Sequence, residues 1–354
     1  MTISITRTNT PKQKPNPDQL GFGKVFTDHM FILNYTKENG WHDGRIIPYA
    51  PITIDPASKV FHYGQAIFEG LKAYHTVDND ILLFRPDRNF ARLNRSAERL
   101  CIPAIDEAFA LEALKQLVSI DRDWVPQQPG TSLYIRPFII ATEASLDVDE
   151  STEYQFVIIM SPSGSYYKEG INPVKIMVEE KYVRAVVGGT GEAKTSGNYA
   201  SSLISSKEAH ARGFSQTLWL DGKENKYVEE VGSMNIFFKI EGKVITPALT
   251  GSILPGITRE SMIHVLKQNN IPIEERAITI DEITQAHDAG TLEEVFGTGT
   301  AAVISPVGRL LWQGEELIIH NEEIGETAQF LYDTLTNMQT GRLEAPLNWT
   351  TRIQ

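Results

Sequence analysis

Cysteine is almost missing from this chain: Cys101 is the only one among 354 residues. One thiol forms no internal disulfide and is too few for a thiolate metal cage. It points to a reducing compartment, the cytoplasm. In RLCIPA it ends a helical pattern, which reads as a small core residue rather than a nucleophile. Positive charge is scarce as well. Lysine and arginine number 33 against 45 acidic residues, a formal net charge of −12. That balance argues against general affinity for nucleic acid or anionic membranes. An anionic ligand must then be held by a few local cations and backbone amides. No apolar run approaches the ~20 residues of a membrane span. The opening MTISITRTNTPKQKPNPDQLGFG lacks the apolar stretch of a signal peptide. Its prolines and polar residues make 1–20 a flexible segment by expectation.

Several catalytic signatures are absent too. No Gly-x-Gly-x-x-Gly lies between a strand and a helix, and no Walker lysine follows a spaced glycine. Neither His-Glu-x-x-His nor Cys-x-x-Cys occurs, so no metal is expected. What remains is a mixed α/β (α+β) pattern in two domains. HMFILNY, ILLFRP, SLYIRPFIIAT and YQFVIIMS read as strands. DRNFARLNRSAERL and DEAFALEALKQLVSIDRDWV carry helical spacing, the second with Asp106 as N-cap. These give an N-terminal α/β domain at 21–161. PSGSYYKEGINP at 162–173 breaks the pattern and reads as the interdomain loop. A C-terminal domain at 174–354 starts with VKIMVEEKYVRAV as a strand and continues with antiparallel strands and helices, the last ending near Gly341.

GGTGEAKTSGNY, 188–199, sets Lys194 among small residues, where the backbone could come close to a flat or charged ligand. An amine becomes a nucleophile when its neutral form is populated. One use of such a lysine is carbonyl chemistry with pyridoxal phosphate (PLP). That site needs the lysine, a phosphate anchor, a partner for the ring nitrogen and room for the ring. LPGITRES opens a helix at a Pro-Gly turn, so the amides of Ile257 and Thr258 suit an anion. GTGT, 297–300, offers a second turn, and Arg92 a charge-assisted bond. VEEVGSMN places Glu229 and Glu230 on opposite faces of a strand, and either could meet the ring nitrogen. Each feature alone has a plainer reading as a cap, a salt bridge or a turn. Their ordered co-occurrence is what points to a site.

FHYGQAIFEGLKAY, LFRPDRNFARLNRSAERLCIP, GTSLYIRPF, RAVVGGTGEAKTSGNYASSL, EEVGSMNIFF, GSILPGITRE and EVFGTGTAA occur in that order. Together they resemble the branched-chain amino acid aminotransferases, fold-type IV PLP enzymes. The resemblance implies a smaller N-terminal α/β domain and a larger C-terminal domain with a barrel-like sheet. It also implies a homodimer exchanging amino groups between leucine, isoleucine or valine and 2-oxoglutarate, amino and 2-oxo acids being the small-molecule partners. Lys194 would bind the cofactor covalently and carry the proton. Tyr199 would hydrogen-bond its phenolic oxygen and Glu230 its ring nitrogen. Arg92, Ile257, Thr258 and Thr300 would hold the phosphate. Ser233 would lie near the cofactor, with Arg184 on the lysine's strand. Phe22, Tyr63, Phe68 and Tyr134 would line the substrate pocket. Arg136 would meet the side-chain carboxylate of glutamate, and the amides of Thr300 and Ala301 the α-carboxylate. Residues 162–173 would act as a lid. Ala302 and Ser305 stand where some animal relatives carry a redox thiol pair. Competing readings are a D-amino-acid transaminase, an aminodeoxychorismate lyase and a non-catalytic PLP carrier. FEGLKAY and YIRP favour the branched-chain enzyme.

Overall fold

The computed structural model describes residues 1–164 and 171–353, so 165–170 of the expected lid lie outside the described residues. The chain divides into two compact units. The first comprises residues 1–164, 193–196 and 337–353, and the second 171–192 and 197–336. A single cut near 162–173 therefore does not describe the grouping. The lysine segment and the C-terminal strand belong with the first unit, which holds more residues than the second.

The first unit is built on a nine-stranded sheet. Its order is Ile3–Ile5, Gly40–Pro48, His29–Thr36, Glu153–Ser163, Ser132–Ala141, Leu71–His75, Ile81–Phe84 and Thr350–Ile353, with Ala66–Phe68 paired to Ser132–Ala141. Strand alternation sorts the side chains. Leu133, Ile135, Ile139 and Ala141 point into the core beneath helices Pro86–Arg99 and Glu107–Ile120. Tyr134, Arg136 and Phe138 take the opposite face, as the period of two requires. The second helix starts where expected: the Asp106 carboxylate accepts the Phe109 N–H at 2.9 Å.

The second unit contains a closed six-stranded barrel. The ring runs Val228–Val231, Gln216–Leu220, Val174–Val178, Val303–Trp312, Leu292–Gly299 and Met234–Ile240, and closes by pairing Glu230 with Asn235. Closure removes the exposed edges that an open sheet of this kind would carry.

Three expectations are corrected. Residues 1–20 are not a structureless run: Ile3–Ile5 pairs in parallel with Gly44–Ile46, and the Thr8 N–H donates to His29 Nε2 at 2.9 Å. Polar composition hid this because the pairing uses main-chain groups. The strand beginning at Val174 ends at Val178, so Arg184 is not on a strand. Cys101 is exposed. It adopts φ +54° just past the helix end, and Ile102 takes the core position instead. The last helix, Glu326–Gln339, ends near Gly341 as expected, and the strand Thr350–Ile353 that follows it has no periodic signal long enough to read.

Candidate active site

In the first unit Lys194 is fixed by its main chain. Its N–H donates to Ser96 Oγ at 2.9 Å, and its carbonyl accepts the Phe68 N–H at 3.0 Å. Thr195 bridges to Ile67, and its hydroxyl donates to the Ala66 carbonyl at 2.8 Å. The lysine segment is therefore stitched to strand Ala66–Phe68, while the amine lies 5.0 Å from the centre of the Phe68 ring. Small residues around Lys194 allow this close approach to a strand.

Arg92 is buried on helix Pro86–Arg99 and binds Glu69 in a two-point fork, Nε to Oε1 at 2.7 Å and NH2 to Oε2 at 2.8 Å. Asn89 adds a bond to Glu69 at 2.7 Å. Burial pushes the Glu69 carboxyl up, but Arg92 more than offsets this by charge and hydrogen bond. Smaller contributions come from Lys194 and Asn89, and the net shift is downward. The guanidinium expected to meet a phosphate is thus held by a carboxylate that motif reading did not single out.

Arg136, Tyr134, Phe68 and Phe22 come together. Arg136 donates to the Tyr134 hydroxyl at 3.0 Å and lies 4.6 Å from the Phe68 ring centre; Phe22 meets Tyr134 edge-on at 4.8 Å. Arg136 Nε is buried without a hydrogen-bond partner among the described residues. Gly70 is where a missing Cβ matters, because a Cβ there would stand 2.2 Å from the Tyr134 hydroxyl. Lys72, opposite Tyr134 in register, was also missed; burial pulls its ammonium down to about 8. Tyr63 does not join this cluster. It is exposed, and its hydroxyl donates to the Leu146 carbonyl.

In the second unit the chemistry gathers on strand Val228–Val231. Both glutamates are buried. Arg184 lies 3.2 Å from Glu230, and the same Glu230 oxygen accepts the Leu254 N–H at 2.6 Å. Arg184 also donates to the Ser252 and Gly191 carbonyls. Gly191 is explained by this packing, since a Cβ would fall 2.1 Å from the Ser252 carbonyl oxygen. At this glycine the close approach is to protein, not to a ligand. Asn198 ties the same loop to Thr190 through two bonds of 2.7 and 2.8 Å. Tyr199 is half-buried in the short helix Ser196–Ala200.

Helix Ile257–Gln268 begins after Gly256 with no side-chain cap, leaving the main-chain donors of its first turn open to an anion. Asn235 Oδ1 fills the space where a Gly256 Cβ would stand, at 1.9 Å, and its amide donates to the Leu254 carbonyl at 2.9 Å. Asn235 therefore fixes the turn before the helix, a role no motif revealed. Thr300 and Ala301 form the turn after Leu292–Gly299. Beside it, Thr298 Oγ1 is buried without a partner among the described residues. Val303 holds φ +64°, a strained conformation for a β-branched residue. Ser233 occupies the exposed turn between two barrel strands. Among the described residues, no three metal-ligating side chains cluster, and no helix is long and apolar enough to cross a membrane.

The profile of the amino-transferase class IV family matches residues 66–310, and the chain belongs to that family. It is 62% identical to branched-chain-amino-acid aminotransferase 2 of Bacillus subtilis (strain 168) over 352 residues, covering 99% of this chain and 97% of that protein. It is 56% identical to branched-chain-amino-acid transaminase 1 of the same organism, over 97% of this chain and 96% of that protein. The branched-chain aminotransferase of Thermoproteus uzoniensis with norvaline superposes at a TM-score of 0.77 with 26% identity, over 92% of this chain and all of that one. The branched-chain amino acid aminotransferase of Escherichia coli also gives 0.77, with 25% identity, over 92% of this chain and 99% of that one. The fold is fold-type IV.

Proposed function

We propose that this chain is a PLP-dependent transaminase moving the amino group between L-leucine, L-isoleucine or L-valine and 2-oxoglutarate, giving branched-chain 2-oxo acids and L-glutamate. The observation that carries the reading is the arginine-braced, buried Glu230 in a chain that also holds the strand-clamped Lys194. The donor set fits PLP on its chemistry: an amine, an ionisable acid for the ring nitrogen, an uncapped helix start and an unpartnered buried hydroxyl at Thr298. PLP, when bound, supplies an electron-poor ring that draws electrons from the substrate's Cα–H bond.

The chain's own residues do the rest. Lys194 holds the cofactor through its amine, then takes the proton from Cα and returns it to the cofactor's C4′ atom. Glu230 keeps the ring nitrogen protonated, with Arg184 fixing its carboxylate. Tyr199 hydrogen-bonds the phenolic oxygen. The amides of Ile257 and Thr258, the Thr300 hydroxyl and the Glu69-held Arg92 bind the phosphate, and Ser233 stays at the rim. Phe22 and Phe68 offer faces to aliphatic side chains, whereas Tyr134 and Arg136 turn polar groups toward a second carboxylate. The turn amides at Thr300 and Ala301 receive the α-carboxylate.

Steady-state assays of both half-reactions test this. The expected result is transfer from L-leucine to 2-oxoglutarate. Arg136→Ala should lower kcat/KM for 2-oxoglutarate by about 10²-fold, the loss of a charge-assisted bond, and for L-leucine by less than about fivefold. Activity confined to D-alanine, or pyruvate release from aminodeoxychorismate, would replace the assignment. Equal losses in both half-reactions would make Arg136 structural.

The assembly we propose is a homodimer in the cytoplasm. Phe22, Phe61, Tyr63, Leu146 and Val148 of the first unit are all exposed, more large apolar side chains than a monomer's surface needs. In a dimer Tyr63 could line the partner's substrate pocket rather than its own. The exposed Cys101 thiol suits a reducing compartment. Sedimentation equilibrium should give twice the 39.6 kDa of one chain. A single-chain mass, or recovery outside the cytoplasmic fraction, would overturn this part.

A further inference from the structure

Glu229 is left over from the reading above, yet it is buried beside Glu230. Side chains of successive strand residues point to opposite faces, but the segment 250–254 reaches both. Glu229 Oε1 accepts the Ser252 hydroxyl, and Leu254 donates to Glu230. Glu229 Oε2 has no hydrogen-bond partner among the described residues. Arg184 is tied to both acids, to Glu230 directly and to Glu229 through Ser252. It pairs with Glu230 and donates to the carbonyl of Ser252, the residue whose side chain binds Glu229. Ser252 thus links Glu229 to the guanidinium that pairs with Glu230, and the Nε of that guanidinium is itself unpartnered among the described residues.

We propose that Glu229 is a positioning residue for the reaction: through Ser252, which also binds Arg184, it sets the charge that Glu230 presents to the cofactor. The proposal rests on the reading of Glu230 as the ring-nitrogen partner.

The charged groups acting on Glu229 are Arg184, Glu230 and Asp221. Burial pushes the Glu229 carboxyl up. The Ser252 bond and Arg184 pull it down, Glu230 and Asp221 add to the rise, and the net direction is upward. Its proton is therefore held to higher pH than that of an unperturbed glutamate. Below that step Glu229 is neutral, and Arg184 serves Glu230 alone. Above it a second negative charge competes for Arg184, frees Glu230 from part of its pairing and favours a protonated ring nitrogen.

The test loads wild type, Glu229→Gln, Ser252→Ala and Glu230→Gln with PLP from pH 5.5 to 9.5. It reads the cofactor's dissociation constant and visible absorbance, with thermal unfolding as a control for folding. In wild type, affinity should rise about three- to tenfold across one pH step, the scale of a single charge at an effective dielectric of about 20. Glu229→Gln keeps an acceptor for Ser252 and should lose the step. Ser252→Ala removes the Glu229 partner and should move the step to higher pH, which keeps the proposal testable if the first variant does not fold. A step in Glu229→Gln like that of wild type, or an unmoved step in Ser252→Ala, would overturn the proposal. Unaltered affinity and absorbance in Glu230→Gln would instead overturn the reading of Glu230. A purely structural Glu229 would change the unfolding temperature and leave the pH profile alone.

Discussion

Lys194→Ala should abolish turnover, lowering kcat by at least about 10⁴-fold, while the protein stays folded. The size follows from the two duties placed on one amine. A positioned proton-transfer group is worth about 10² to 10⁴ in rate, and the covalent hold on the cofactor comes on top of that. Folding is spared because the contacts that fix residue 194 belong to its backbone. The N–H to Ser96 and the carbonyl from Phe68 survive truncation of the side chain, as does the neighbouring Thr195 bond to Ala66. What is lost includes the stem's contact with the Phe68 ring and a positive charge acting on the buried Glu69, about 1 kcal/mol at a half-exposed site. Single-turnover assays with L-leucine, thermal unfolding and mass spectrometry after borohydride reduction check the three parts. Reduction should add a pyridoxyl group to Lys194 in wild type and none in the variant. Transamination that persists in the variant would refute the role.

Much of this was legible in the chain because hydrophobic period and turn chemistry are local. Ser132–Ala141 alternates as a strand with one face on the core, and Asp106 caps its helix as its position suggests. The helix start at Ile257 is announced by Pro255-Gly256. The parts that stayed hidden are those decided by partners distant in sequence. Glu69 is 23 residues from the arginine it holds, and nothing between them signals the pair. Gly70 carries no signal in the sequence for the Tyr134 hydroxyl that fills the space a Cβ would need. Gly191 suggested ligand access but makes room for the Ser252 carbonyl. The strand Ile3–Ile5 gave no sign because an edge strand held by main-chain bonds needs little side-chain pattern. Arg184 was placed on a strand because VKIMVEEKYVRAV was read as one continuous strand; the strand stops at Val178, and Glu179 instead accepts the main-chain N–H groups of Lys181 and Tyr182. That turn is what releases Arg184 to reach Ser252 and Glu230.

Glu230→Gln should lower kcat by about 10² to 10³-fold, the cost of removing a preorganised charge from a buried site. Its effect on stability is expected to be smaller than the rule for buried pairs gives. Deleting one member of such a pair usually costs about 3–5 kcal/mol, because the other charge is stranded. Here Arg184 would not be stranded. Glu229 already senses its charge, and Ser252 links the two. With Glu230 neutral, Glu229 loses a like-charged neighbour and gains a larger share of the guanidinium, so it ionises at lower pH and takes over the pairing. The acid left on the wrong face of the strand compensates the fold without reaching the cofactor. Activity and stability therefore separate. The single variant should unfold less than about 2 kcal/mol below wild type, and Glu229→Gln with Glu230→Gln should restore the full penalty. Denaturant unfolding of the two single variants and the double variant, at pH 8, measures the coupling. Additive losses would show that the acids do not share Arg184. A Glu230→Gln enzyme within about threefold of wild-type kcat would remove Glu230 from the chemistry altogether.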